Sequence, residues 1–324
     1  MTGYLDSIAH PWTRQHIKMA IVSDFRTVKK SIDQTEGGQL WRSIKELDDV
    51  IWVFTKSTSE LLDKINEFGE KSKDIEFWHR TNKESSEEYI REVKRQLYYC
   101  TSSLMTIVDI SRALNKKWSL KDLVEQRNKF FSTPGLHEFL QKLRNFSSHW
   151  RMAQANWVIK SDSKNGTRVA CFVVSKEELL EWGDWGSKAK KYIEEKEENI
   201  DLYEVFTQYK KHVQQYYSWH KGALIDAYSS ILQPFFEYKK IHEGLNQYTM
   251  WNMVLSHFSP DMNPYQYLAR YLSNKQIELI LSYEHRSELQ VNTLIKMLDM
   301  EDFCDDQLRA KAMRVFGIST TITD

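Results

Sequence analysis

The sequence predicts an all-α protein with one inserted β-hairpin. Its 324 residues include 11 Gly and 5 Pro, which is few for this length and favours long helices. Apolar residues recur at helical spacing along most of the chain. The exceptions are two β-rich runs, residues 156–160 and 168–175, on either side of a polar loop that contains Asn165-Gly166. Asn-Gly between two such runs is typical of a hairpin.

Before the hairpin, the pattern predicts several helices. Ser132-Thr133-Pro134-Gly135 predicts the start of the last of them, with a hydroxyl cap and Pro134 at the first helical position. The charged stretch at 70–88 is expected to connect two helices with little structure of its own. The predicted helices cover residues 13–32, 39–68, 85–114, 119–130 and 135–152.

After the hairpin, Ser175 and Glu178 predict the capped start of a short helix that Gly183 ends. Two further helices are expected at residues 187–217, with a break, and at 219–236, where Pro234 lies near the end. The rest of the chain is expected to be a helical array, punctuated by Pro260 and Pro264.

Charge and cysteine content restrict the function classes. Lys plus Arg and Asp plus Glu both number 45, so a nucleic-acid contact would need a local basic patch. The three cysteines, Cys100, Cys171 and Cys304, indicate free thiols in a reducing compartment. There is no secretory signal at residues 1–11 and no apolar run long enough for a membrane span. We therefore expect a cytoplasmic protein without a membrane contact.

The helix at residues 135–152 is the part of the sequence that suggests chemistry. Stepped at 100° per residue, its apolar side chains fall within an arc of roughly 120°. Four polar side chains fall on the opposite side, where Asn145 and His149 are four residues apart, as are Arg144 and Ser148. The apolar set is Leu136, Phe139, Leu140, Leu143, Phe146 and Trp150.

These four side chains suit the cleavage of RNA without a metal. Such cleavage needs a base for the 2′-hydroxyl proton and an acid for the departing 5′-oxygen, tasks that histidine performs near neutral pH. It also needs a fixed positive charge at the phosphorus, which Arg144 would supply. Because each chain has one histidine here, two copies of the helix across a twofold axis would supply both the acid and the base.

Other interpretations of these residues stay open. A polar helix face is usually just solvated, and an Arg followed five residues later by a His is expected often by chance. The lysines at 188, 190, 191, 210 and 211, with His212, form a patch that either borders RNA or is neutralised by the glutamates at 194–198. His137 and Glu138 are expected at the surface. No spacing typical of a metal site or of a nucleotide cofactor site occurs, so no cofactor is expected.

The run Arg144-Asn145-Phe146-Ser147-Ser148-His149 resembles the R-x4–6-H motif of the HEPN superfamily, including the polar residue that often follows its arginine. The later run at 175–195, with LLEWGDWGSKAKKY, is similar to a segment that follows the hairpin in uncharacterised bacterial HEPN-like proteins. The resemblance covers residues 86–232. At the position two residues after the histidine, where members paired with a nucleotidyltransferase antitoxin have Tyr, this chain has Arg151.

The resemblance implies a bundle of about four helices, a homodimer formed through the motif helices, and a metal-independent endoribonuclease of the toxin or antiviral abortive-infection type. By this resemblance Arg144, His149 and Asn145 would be the catalytic residues, with Asn145 assisting the other two. Ser148 would be a supporting residue of the same site. The expected division is a helical extension at 1–85, a HEPN-like core at 86–232 and a C-terminal helical region at 233–324. The alternative is a non-catalytic HEPN-like module that binds a partner protein or a nucleotide.

Overall fold

The computed structural model describes residues 3–149, 153, 155–162, 167–197, 199–298 and 302–318. These residues form an all-α fold with one inserted hairpin, which confirms the predicted fold class. Four short 3-10 helices occupy Tyr4–Ser7, Ile75–Trp78, Arg80–Asn82 and Pro264–Arg270. The other elements are α1 (Arg14–Gln34), α2 (Glu36–Lys71), α3 (Lys83–Lys117), α4 (Leu123–Phe130), α5 (Leu136–His149), β1 (Ala155–Asp162), β2 (Thr167–Val174), α6 (Lys176–Leu180), α7 (Ser187–Glu194), β3 (Ile200–Asp201), α8 (Leu202–Ala227), α9 (Ser229–Ser256), α10 (Asn274–Ser282), α11 (Glu288–Met297) and α12 (Asp306–Val315).

The chain divides into two compact units, and the division differs from the one expected. The central unit is Leu40–Ser229, and the terminal unit combines Met1–Gln39 with Ser230–Asp324. Residues 40–85, expected in an N-terminal extension, therefore belong to the central unit. The reason is that the part of α2 after Gln39 buries its apolar side, including Phe54 and Phe68, within this unit, where Phe68 packs on Phe172.

The hairpin lies in the central unit, and the predicted pairing of its two strands is confirmed. β1 and β2 are antiparallel, with Ala155 opposite Val174 and Asp162 opposite Thr167. The Asn165-Gly166 turn lies outside the described residues. The two-residue strand β3 adds to β2, and no pattern in the sequence predicted it. Phe172 of β2 packs on Phe68, with the ring centroids 4.8 Å apart, so the sheet is anchored to α2.

The connection at 70–88 has more structure than expected. α2 continues to its end at Lys71, two 3-10 helices follow, and α3 begins at Lys83. Aromatic packing explains the difference: the Trp78 and Phe77 rings contact Phe68 at 6.0 and 5.6 Å. The Trp78 indole also donates a 2.8 Å hydrogen bond to the Ser72 carbonyl, which holds the turn against the end of α2.

The helices on either side of residue 218 also differ from the prediction. α8 runs without a break through 217–219, and its first turn is capped by Asp201, which accepts from the backbone N–H groups of Tyr203 and Glu204. The next helix begins at Ser229, so Pro234 lies in the second turn of α9 rather than near a helix end. Similarly, α4 begins at Leu123, four residues later than expected.

The terminal unit has a core of its own. Trp251, Ile280, Val291 and Leu308 are buried together where α9 to α12 meet. Gln290 is buried at the edge of this core, where its Nε2 donates a 2.8 Å hydrogen bond to the Ile280 carbonyl. Among the helices in the described part of the chain, none is long and apolar enough to cross a membrane.

Candidate functional site

The candidate site is on α5, and Gly135 determines where that helix begins. Gly135 has a φ of +76°, a conformation that favours glycine, and the helix starts at Leu136, one residue later than the predicted range 135–152 and two residues after Pro134. A Cβ atom at Gly135 would lie 2.5 Å from the Lys188 carbonyl oxygen and 2.8 Å from the Cβ of Tyr192. The start of α5 therefore approaches α7 as closely as a backbone without a side chain allows.

The apolar face of α5 is confirmed as a core face. All five of its described members have 0% of their side chains exposed, and they are Leu136, Phe139, Leu140, Leu143 and Phe146. Trp150, the sixth predicted member, lies outside the described residues. Because these five side chains on one side of the helix are buried, the orientation of α5 about its axis is fixed and the polar side chains opposite them face outward.

Aromatic side chains of the segment 182–192 pack against this apolar face. Trp185 is 1% exposed and stacks on both Phe139 and Phe146, with ring centroids 5.6 and 5.5 Å apart. The Trp185 indole donates a 2.5 Å hydrogen bond to the Leu179 carbonyl. Trp182 contacts the Phe146 edge at 5.7 Å, and Tyr192 contacts Phe139 at 5.1 Å. The tryptophans of the LLEWGDWGSKAKKY run therefore hold α5 in place.

The structure places the four predicted site residues on the outward side of the same helix. The Arg144 guanidinium lies 3.5 Å from the Asn145 side-chain oxygen, and both side chains are half-buried. Ser148 and His149 are exposed in the last turn of α5. The Arg144–Asn145 contact is the one hydrogen bond in the described structure that joins two of these four residues. His149 is exposed to solvent on α5, four residues after Asn145 and five after Arg144.

His137 is half-buried, contrary to the expectation that it lies at the surface. Its Nδ1 is 2.7 Å from the Tyr209 hydroxyl, and its Nε2 is 2.7 Å from the Gln141 amide nitrogen. One neutral tautomer satisfies both contacts: Nδ1–H donates to Tyr209, and Nε2 accepts from Gln141. Burial lowers the pKa of His137 to about 4, a direction that the nearby Arg127 and Arg112 reinforce and Glu138 opposes.

A second buried histidine lies on α8, in a stripe that the sequence prediction missed. His220 is 0% exposed, stacks on Tyr216 at 5.7 Å, and is within 2.8 Å of the Asn115 side-chain oxygen. Burial lowers its pKa to about 4. The sequence pattern that could have indicated this buried stripe is the spacing of residues 209, 213, 216 and 220, which lie on one side of a helix. The stripe was missed because the sequence analysis ended one helix at residue 217 and began another at 219, which divided this spacing between two helices.

These two histidines predict an acid-sensitive fold. Both are held neutral in the folded chain, whereas the unfolded chain takes up protons near the ordinary pKa of 6.5. Stability is therefore full above pH 6.5 and is lost as the pH falls from 6.5 toward 4. Urea titrations at pH 7.5 and pH 5 should differ by about 2 kcal/mol for each imidazole.

The matched test of this pH dependence uses His220→Gln and, as control, His257→Gln, because His257 is exposed. The first variant should reduce the difference between the two pH values by about 2 kcal/mol. The second should leave it unchanged. A His220→Gln variant with the full wild-type pH dependence would show that this imidazole does not stay neutral in the folded chain.

Four of the five lysines that were considered as an RNA patch have local partners. Lys190 and Lys191 pair with Glu194 and Glu195 at 3.8 and 3.6 Å, and Lys188 pairs with Glu138 at 3.1 Å. Lys210 donates to the Ser59 hydroxyl at 2.7 Å, and His212 is buried. This arrangement favours the interpretation of α7 as a neutralised, solvated face.

No three side chains of His, Cys, Asp or Glu are grouped so that they could hold a metal ion, as far as the described residues extend. Comparisons of the chain with protein-family models, with curated proteins and with solved structures found no match. The resemblance to the HEPN superfamily therefore stays a prediction that depends on the motif residues themselves.

Proposed function

We propose that the protein is a metal-independent endoribonuclease that cleaves single-stranded RNA, with its site at Arg144, Asn145 and His149. The observation that carries this proposal is the two-sided character of α5. The five described side chains of its apolar side are buried, while its outward side presents a guanidinium, an amide, a hydroxyl and an imidazole within two turns. These are the groups that a 2′-hydroxyl mechanism needs.

The reaction is an internal transfer at the phosphorus. A basic imidazole accepts the 2′-hydroxyl proton while the 2′-oxygen forms a bond to phosphorus, and the bond to the 5′-oxygen breaks as that oxygen receives a proton. The products are a 2′,3′-cyclic phosphate and a 5′-hydroxyl. Arg144 would stabilise the negative charge on the phosphate oxygens. Because Asn145 accepts from Arg144 through its oxygen, its Nδ2 group is the part that can donate to a phosphate oxygen.

The proposal includes a homodimer. One histidine cannot easily be base and acid in one event, so the site uses His149 from two copies whose α5 helices face each other. Light scattering should then give twice the mass of the 38.6 kDa chain at micromolar concentration. A monomer that cleaves RNA would contradict this part of the proposal.

In the cell, we place this activity in the cytoplasm, as a toxin or an antiviral abortive-infection effector. The absence of disulfides among Cys100, Cys171 and Cys304 supports a reducing compartment. An RNA-cleaving protein requires control, so a regulatory partner or antitoxin is part of the proposal.

The test is incubation of the purified chain with end-labelled single-stranded RNA in excess EDTA, beside DNA of the same sequence. We expect cleavage of the RNA and none of the DNA, because DNA has no 2′-hydroxyl. Cleavage that requires magnesium would contradict the proposal. Tight binding of the RNA without any cleavage would instead favour the alternative, a non-catalytic module that binds a partner or nucleotide.

A further inference from the structure

A basic segment contacts α5 at His137, in the first turn of that helix. Residues 109–131, which include the end of α3 and all of α4, contain six basic and three acidic residues in a chain with no net charge. Arg112 and Arg127 are both exposed. Arg112 has an acidic neighbour, Asp109, at 3.6 Å, but both side chains are about two-thirds exposed, at 68% and 67%. Such an exposed pair is weak and can be replaced by a phosphate contact.

Packing places this segment beside the motif helix. The Phe131 ring, which directly follows α4, contacts the His137 ring of α5 at 5.2 Å and the Tyr209 ring at 5.5 Å. Arg127 lies one turn before Phe131. The positive charges of Arg127 and Arg112 both contribute to lowering the pKa of His137. His137 is seven residues before Arg144, which corresponds to about 10 Å along the helix axis.

Two aromatic rings accompany these arginines. Phe130 and Trp219 are half-buried, and their centroids are 6.3 Å apart at an interplanar angle of 34°. Phe130 follows Arg127 by three residues, so both lie on the same side of α4. A half-exposed ring next to an arginine is the combination by which proteins hold single-stranded nucleic acid: the base stacks on the ring and the guanidinium contacts the backbone.

We propose that Arg112, Arg127, Phe130 and Trp219 form an RNA-holding surface for the nucleotides that flank the cleaved bond. Arg112 and Arg127 would contact phosphates, and Phe130 with Trp219 would stack a base. This inference rests on the proposed function, since it takes Arg144 and His149 as the place of cleavage. It adds a substrate-positioning surface that the motif does not contain, and it explains how a neutral chain could hold a polyanion.

Binding should be measured separately from cleavage, on chains that carry His149→Ala, with a fluorescent single-stranded RNA in EDTA at several salt concentrations. The double variant Arg112→Gln with Arg127→Gln should weaken binding at least tenfold. It should also reduce the slope of log Kd against log salt by about 1.4, because two phosphate contacts are lost. Phe130→Leu should weaken binding roughly tenfold without changing the slope, because stacking involves no counterion.

The control is the double variant Lys56→Gln with Arg91→Gln, two exposed residues with similar weak pairs at 3.7 and 3.8 Å. It should leave Kd and slope close to those of the parent. If the Arg112 and Arg127 variant behaves like this control, the RNA-holding surface is wrong, whether or not the wild-type chain cleaves RNA. Failure of the wild-type chain to cleave would overturn the proposed function instead, so the two failures are distinguishable.

Discussion

His149→Ala should lower the rate of RNA cleavage by about 10²- to 10⁴-fold, the usual loss when a general acid or base is removed. The substitution should not disturb the fold, because His149 is exposed in the last turn of α5. Cleavage of labelled RNA in EDTA measures the rate, and far-ultraviolet circular dichroism measures the helical content. We expect the cleavage rate to fall by this factor and the helical content to stay at the wild-type value.

Two further variants make this prediction specific. Arg144→Lys keeps the positive charge but loses the planar, multi-donor group, so its activity should lie between those of the wild type and His149→Ala. His257→Ala removes another exposed histidine and should cleave at the wild-type rate. Wild-type cleavage by the His149→Ala chain would show that the site on α5 is assigned wrongly.

Trp185→Ala should lower the free energy of unfolding by about 3–5 kcal/mol, the range for truncating a large buried aromatic side chain. Trp185 is 1% exposed and contacts two rings of the apolar face of α5, so its loss leaves a cavity directly behind the motif helix. Cleavage should fall as well, because α5 would no longer be held in one position. Urea titration followed by circular dichroism gives the stability.

The matched control is Trp52→Ala, since Trp52 is on α2 and is 67% exposed. This variant should change stability by less than about 0.5 kcal/mol. A Trp185→Ala loss that is no larger than the Trp52→Ala loss would mean that the segment 182–192 does not support α5.

The parts of the fold that the sequence predicted are those that depend on local spacing. Leu136, Phe139 and Leu143 recur at helical intervals, and the structure buries all of them. The hairpin was predicted for a similar reason, because β-rich runs and an Asn-Gly turn are a short-range pattern. α5 starts one residue later than predicted, after Gly135, whose positive φ and close approach to Lys188, a residue far along the chain, no local pattern indicated.

The features that sequence reasoning missed depend on long-range partners. His137 is half-buried and lies within hydrogen-bond distance of the hydroxyl of Tyr209, 72 residues away. Residues 40–85 join the central unit because Phe68 packs on Phe172 of the hairpin. No local pattern reports such contacts. The outward position of Arg144 and Asn145, in contrast, follows directly from the helical period, so the candidate site itself could be predicted in its placement.

The central claim is a 2′-hydroxyl mechanism that uses side chains alone. Its most direct test is an RNA with one preferred cleavage position, compared with the same RNA carrying a single 2′-deoxynucleotide immediately 5′ to the cleaved bond, both in excess EDTA. We expect the first RNA to be cut there with a 2′,3′-cyclic phosphate end, and the second to remain intact at that bond. Cleavage of the deoxy-substituted bond, or a product that ends in a 3′-hydroxyl, would contradict the mechanism.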